Sequence, residues 1–97
     1  MIITGRDILV EAGRKHRGKG LDKALKAWVK VVENARWRHF PDLKQSWPSA
    51  DAVSGYVVFN IKGNQFRLAA NVRYKIGVVH VTRVMTHAEY DLWSDNL

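Results

Sequence analysis

The stretch Tyr56–Asp91, YVVFNIKGNQFRLAANVRYKIGVVHVTRVMTHAEYD, decides the fold of this chain. Within it Phe66, Leu68, Ala70, Val72 and Tyr74 fall on one side, and Arg67, Asn71, Arg73 and Lys75 on the other. That period of two belongs to a strand with one buried face. Upstream, Val57, Phe59 and Ile61 alternate with Val58, Asn60 and Lys62, and Gly63-Asn64 is a two-residue hairpin signal. Lys75-Ile76-Gly77 marks the next turn, and Val78–Met85 a third strand whose Val79 and Val81 match the apolar face. His80 and Thr82 then join the cations. Strict alternation buries Arg83, unless a bulge turns it outward or a buried carboxylate pairs with it. Thr86-His87-Ala88-Glu89 is a full capping box, so a helix starts beside His87 and carries His87, Tyr90 and Asp91 on one face. The stretch therefore predicts three antiparallel strands closed by a short helix, with a core on one face and a row of cations on the other.

On its N-terminal side the signals are helical. Ile2 and Ile3 suit a short strand, and Thr4-Gly5-Arg6-Asp7 fits a capping pattern ahead of an apolar run. A helix over residues 5–17 is amphipathic through Ile8, Leu9 and Ala12, and Arg17-Gly18-Lys19-Gly20 ends it. Leu21, Leu25, Trp28, Val32 and Ala35 form the apolar stripe of a stronger helix. These two helices predict a hairpin packed on one side of the sheet. The connector over residues 36–55, RWRHFPDLKQSWPSADAVSG, has Pro41 and Pro48 to bar a long element, with one helical turn expected over Asp42–Trp47. Its Trp37, Phe40 and Trp47 stand among Arg36, Arg38 and His39. They suit a plug for the end of the core, or a stacking surface for single-stranded nucleic acid. The fold expected is α+β in a single domain over residues 1–97: an antiparallel sheet of three to four strands against an N-terminal helical hairpin, with a short C-terminal helix.

Composition narrows the function. The chain is 46% hydrophobic with no cysteine, which suits a globular domain and leaves neither a disulfide nor a thiolate metal site. No apolar run reaches transmembrane length and no signal-peptide pattern opens the chain, so a cytoplasmic protein without membrane contact is expected. The formal net charge is +7 and the pI near 10.1. Residues 86–97 hold Glu89, Asp91 and Asp95 and no cation, so that tail carries −3 and the rest of the chain +10. A small body so basic suits nucleic acid, or an acidic protein partner.

Cleaving RNA without a metal requires a base for the 2′-hydroxyl proton, an acid for the departing 5′-oxygen, and cations for the charge on phosphorus. Lys62, Arg67 and Arg73 project from one face as candidate cations, and His87 and Tyr90 approach from the helix after the last strand. Each has a plainer reading, with His87 as a helix-start residue and Tyr90 as core. His80 suits the sheet surface, and His16 and His39 look structural. The four histidines lack zinc-site spacing, so no metal and no cofactor are expected, although His80, His87 and Asp91 could in principle meet.

At VVFNIKGNQFRL followed by VMTHAEYD the chain resembles the HigB-type toxins of bacterial type II toxin–antitoxin modules, in the RelE-like group of messenger-RNA endonucleases. The similarity also takes in the N-terminal helices and the WPSAD connector. The resemblance implies a RelE-like α+β fold and an mRNA interferase that cuts translating messenger RNA, usually on the ribosome, until a HigA-like helix-turn-helix antitoxin neutralises it. It points to Lys62, Arg67, His87 and Tyr90 as catalytic, with Arg73 as an added phosphate contact; the strands themselves offer Asn60, Asn71, Lys75, His80 and Arg83 beside them as RNA-binding residues. The alternative is a small basic domain that binds RNA, or an acidic partner, without cutting.

Overall fold

The alternating segment at Phe66–Arg73 becomes the central strand of a five-stranded sheet in the computed structural model, which describes residues 1–97. In chain order the elements are β1 (Ile2–Thr4), α1 (Arg6–Lys15), α2 (Leu21–Glu33), α3 (Phe40–Ser46), β2 (Asp51–Val53), β3 (Tyr56–Ile61), β4 (Phe66–Arg73), β5 (Val78–Thr86) and α4 (His87–Asp95). The strands lie in the order β1-β5-β4-β3-β2. The three expected strands form its antiparallel centre, β2 extends one edge antiparallel, and β1 closes the other edge parallel to β5. The α+β class holds, in a sheet wider than the expected three to four strands.

One face of the sheet holds the main core. Leu9 and Ala12 of α1 and Leu21, Leu25, Trp28 and Val32 of α2 pack against Phe59, Ile61, Phe66, Leu68, Ala70, Val79 and Val81. The aromatic plug of the connector is real. Trp37 is buried and stacks at 6.4 Å on Phe59, and Trp47 meets the same ring edge-on at 6.2 Å. The Trp47 indole N–H donates to the Asn60 carbonyl at 3.1 Å, so the connector is pinned to β3. Pro41 sits in the first turn of α3, where its missing N–H costs nothing, so this helix starts earlier than the proline suggested.

Several local expectations are corrected. Thr4 does not cap α1: it stays in β1, and its hydroxyl shares a 2.7 Å hydrogen bond with His80 Nδ1. The entry to α1 is Gly5 in the left-handed region (φ +77°), where a Cβ would lie 2.4 Å from the Val81 carbonyl oxygen, so only glycine fits. The β3–β4 connection is four residues long, because Ile61 pairs with Phe66. Lys62 and Gly63 are both left-handed, with φ of 53° and 62°, so the chain turns before the strand's alternation reaches Lys62. The two-residue hairpin occurs instead at Ser54-Gly55, between β2 and β3. In β5 the register shifts opposite Ala69/Ala70, pairing Arg83 with Ala69 and Val81 with Ala70. The bulge at Thr82 turns Arg83 outward, and the Thr82 hydroxyl donates to the Ala69 carbonyl at 2.9 Å.

The second face is not an open row of cations. Val58, Ala69 and Met85 form a small second cluster there, edged by Val53 and covered by three aromatic side chains, Tyr56, Tyr90 and Trp93. Two of those three lie on α4, so the C-terminal helix roofs much of the face expected to be free.

Candidate active site at the hairpin end of the sheet

The short helix α4 is set by its cap. The Thr86 hydroxyl accepts from the Glu89 N–H at 3.2 Å, and the Glu89 carboxylate accepts from the Thr86 N–H at 2.9 Å. Both halves of the capping box are therefore made, as the sequence predicts. The Thr86 backbone N–H, more than its hydroxyl, holds the Glu89 carboxyl below its ordinary range, with help from nearby Lys15 and His16. The His87 N–H donates to the Gln65 carbonyl at 3.2 Å, fastening the helix start to the β3–β4 turn.

His87 and Asp91 stand one turn apart, with Nδ1 3.2 Å from the carboxylate. The carboxylate stands on the Nδ1 side of the ring, and Nε2 is the ring nitrogen on the side away from the pair. Both side chains are exposed by about half or more (53% and 61%), so this is an open pair rather than a buried one. It has the order of a base and its orienting group.

Arg67 lies beneath the same helix and is only 8% exposed, the one charged residue of the chain that is buried. Its guanidinium donates to the Asn64 carbonyl (3.1 Å), the Phe66 carbonyl (3.2 Å) and Asn64 Oδ1 (3.3 Å). The Tyr90 ring covers it at 5.7 Å. Three contacts and a stacked ring fix the group in place, and of its five N–H donors two remain uncommitted. Asn60 pairs with Arg67 across the β3–β4 ladder and donates to Asn64 Oδ1 at 3.3 Å, which ties the turn to the strand. Asn60, Arg67, His87 and Tyr90 are thus gathered at one end of the sheet.

The other expected residues are not gathered there. Lys62, freed from the strand's alternation, swings toward the helical hairpin, where its ammonium donates to the Lys19 carbonyl. It does not share the face of Arg67. Arg73 is six residues along β4 from Arg67, roughly 20 Å at the rise of a strand. With Lys75 it belongs to the opposite end of the sheet, beside the Tyr74–Gly77 turn. There burial raises the Tyr74 phenol above its ordinary range. Asn71 and His80 pair across β4 and β5, but His80 is engaged by Thr4 at the sheet's edge and does not meet His87 or Asp91. Arg83 lies over the Trp93 ring at 5.8 Å, on the face of Arg67 but farther along the strand. No group of three or more His, Asp or Glu side chains is placed to hold a metal ion.

Three contributors escaped sequence reasoning. Asp91 has a role in the sequence reading only as a possible metal partner of His80 and His87, although its i+4 spacing from His87 is the signal for their pair. Asn64 read only as a turn residue. The turn between α1 and α2 is far from Asn64 in sequence, yet His16 meets Phe66 edge-on at 4.9 Å and Lys15 reaches Glu89 at 3.7 Å. No local pattern marks such a contact.

A comparison of the whole chain with known families bears on this site. The profile of the HigB toxin family, described as the RelE-like toxic component of a toxin–antitoxin system, matches residues 21–93, about three quarters of the chain. Among curated proteins, the mRNA interferase toxin HigB of Escherichia coli is 36% identical over 55 residues, 54% of this chain and 53% of that protein. The mRNA interferase HigB of Shigella flexneri matches to the same extent. The aligned part of the chain thus spans about half the length of the curated relatives it matches. The family match takes in α2, the connector, the four strands from β2 to β5 and the start of α4, which together hold Arg67, His87, Tyr90 and Asp91; this chain belongs to the HigB toxin family.

Proposed function

We propose that this protein is a metal-independent endoribonuclease, an mRNA interferase that cuts messenger RNA in the cytoplasm and so stops translation. The observation that carries the reading is the fixed Arg67–Tyr90 stack beside the open His87–Asp91 pair. In the reaction His87 Nε2 takes the proton of a 2′-hydroxyl, whose oxygen then attacks the adjacent phosphorus. The bond from phosphorus to the 5′-oxygen breaks, and a proton from Tyr90 goes to that leaving oxygen. The products are a 2′,3′-cyclic phosphate and a 5′-hydroxyl end. Asp91 orients the imidazole, and the two free N–H groups of Arg67 meet the charge that develops on the phosphoryl oxygens.

The site is open, with no deep pocket over it to hold a flexible strand in line. The ribosome is the natural clamp, and translating message the natural substrate. A HigA-like helix-turn-helix antitoxin restrains the toxin, its acidic segments drawn to the basic body. Primer extension on cellular messages after induction, with and without a block on translation, tests this. Cuts that vanish when translation stops support the reading. Equal cutting in both conditions would leave a free ribonuclease, and intact message in both would overturn the enzymatic assignment. Full toxicity of folded His87→Ala and Tyr90→Phe variants would point to an RNA-binding domain that does not cut.

A further inference from the structure

The turn between α1 and α2 touches the site but has no part in the proposed reaction. Residues 14–23, RKHRGKGLDK, carry Arg14, Lys15, Arg17, Lys19 and Lys23 against Asp22 alone, a net +4 in ten residues. Around the turn lies an open groove of about 550 Å³, lined chiefly by Arg14, His16, Arg17, Gly18, Gly20 and Lys23. The carboxylates nearby are spoken for. Glu11 pairs with Arg14 at 3.6 Å, Asp22 with Lys26 at 3.3 Å, and Glu89 with Lys15 at 3.7 Å. Arg17, Lys19, Lys23 and Lys62 are exposed and form no ion pair.

This patch adjoins the site rather than merely sharing its sign of charge. Lys62 leaves the β3–β4 turn and donates to the Lys19 carbonyl, its stem passing over Gly20, where a Cβ would come within 3.1 Å of the ammonium. His16 packs on Phe66, and Lys15 reaches the first turn of α4. His87 is bonded to Gln65 of that same β3–β4 turn. The groove and the His87–Asp91 pair therefore stand on either side of one four-residue turn.

We propose that the α1–α2 turn, with Lys62, is a phosphate-binding track for the single RNA strand on one side of the bond to be cut. Exposed lysines and arginines without carboxylate partners suit phosphates, because each contact releases a counterion. Few aromatic rings line the groove, so it reads backbone and not base. Lys62 here holds the strand at a neighbouring phosphate while Arg67 serves the scissile one. The inference rests on the reading of the hairpin end as an RNA-cleaving site.

The test is the salt dependence of binding to a short 2′-O-methyl oligoribonucleotide, which cannot be cut. For a single strand, each phosphate contact contributes roughly 0.7 to the slope of log K against log salt. Replacing Arg17, Lys19 and Lys23 together by Ala should flatten that slope by about two. Lys62→Ala alone should flatten it by roughly 0.7. The control is an equal loss of charge at the far end, with Arg36, Arg38 and Lys75 replaced. An unchanged slope in the turn variant would overturn the track, and so would equal flattening by both sets, since net charge would then explain the binding. Should the unaltered protein leave message intact while the turn variant alone flattens the slope, the turn still binds RNA phosphates and it is the enzymatic reading, with the track's place beside a cut bond, that falls.

Discussion

Behind the sheet, α1 and α2 lay Leu21, Leu25, Trp28 and Val32 against Phe59, Leu68, Val79 and Val81, nearly all without exposed surface. In front, α4 covers Val58, Ala69 and Met85 with Tyr90 and Trp93, and none of its own residues is fully buried. The back face holds the fold through apolar area, the dominant favourable term in folding. The front face holds little area but carries the buried arginine, two cation–aromatic contacts and the histidine–carboxylate pair. On the proposed function, stability and chemistry are thus divided between the two sides of one sheet. Substitutions behind should move folding, and substitutions in front should move activity.

The largest effect tests that division from behind. Phe59 is fully buried and touches the rings of Trp28, Trp37 and Trp47. Phe59→Ala should cost about 3–5 kcal/mol, much of the margin of a small domain. Chemical denaturation should show a large fall in midpoint, with toxicity lost because the fold is lost. A drop below about 1 kcal/mol would mean that the back face is not the main support.

In front, His87→Ala or Tyr90→Phe should lower cleavage by roughly 10²–10⁴, while the denaturation midpoint stays close to that of the parent. Tyr90→Phe keeps the ring over Arg67, so it separates proton transfer from packing. Arg67 crosses the division, being both buried and charged. Arg67→Ala should lower cleavage by roughly 10²–10³ and also loosen the Asn64 turn, so its folding has to be measured beside its activity. Loss of folding without loss of catalysis in the front-face variants would reverse the comparison.

The back face was the more legible from sequence because it rests on periodicity. The 3.6-residue stripe of α2 and the alternation of β3 and β4 were readable from the residues alone, as was the Thr86–Glu89 cap. The front face depends on where turns change the parity of a strand. Lys62 and Arg67 looked like neighbours on one face, but two successive left-handed residues took Lys62 to the other side. Arg67 and Arg73 do share a face, yet the length of β4 separates them, which alternation cannot express. The bulge at Thr82 settled Arg83, one of the outcomes the sequence had left open. Burial of Arg67 had no local signal at all, since it comes from α4 folding back across the sheet.

A smaller effect concerns how firmly α4 is held. Removing the capping hydroxyl by Thr86→Ala should cost about 1 kcal/mol, and that loss should fall on the helix before the whole domain. Amide exchange of residues 87–91 should quicken while Phe59 and Leu68 remain protected. Equal acceleration on both faces would mean that α4 and the core unfold as one unit, and the division would be weaker than drawn.

The smallest effect is a pH dependence confined to the same helix. The Glu89 carboxyl is held below its ordinary value near 4.5, first by the Thr86 backbone N–H and then by the Thr86 hydroxyl, Lys15 and His16. A carboxyl with a lowered folded-state pKa lends stability that is complete above its unfolded value. That stability is lost as pH falls through the folded value. Acidification below about 4.5 should therefore fray the first turn of α4 before the core responds. Glu89 is largely exposed, with 46% of its side chain open, so solvent screening keeps the effect modest. Amide signals of His87 and Tyr90 followed by NMR across that range should shift ahead of those of β4. In Glu89→Gln the neutral amide can still accept from Thr86 but has no charge to lose, so the early shift should vanish. A shift that persists unchanged in Glu89→Gln would show that the Glu89 carboxyl is not its source.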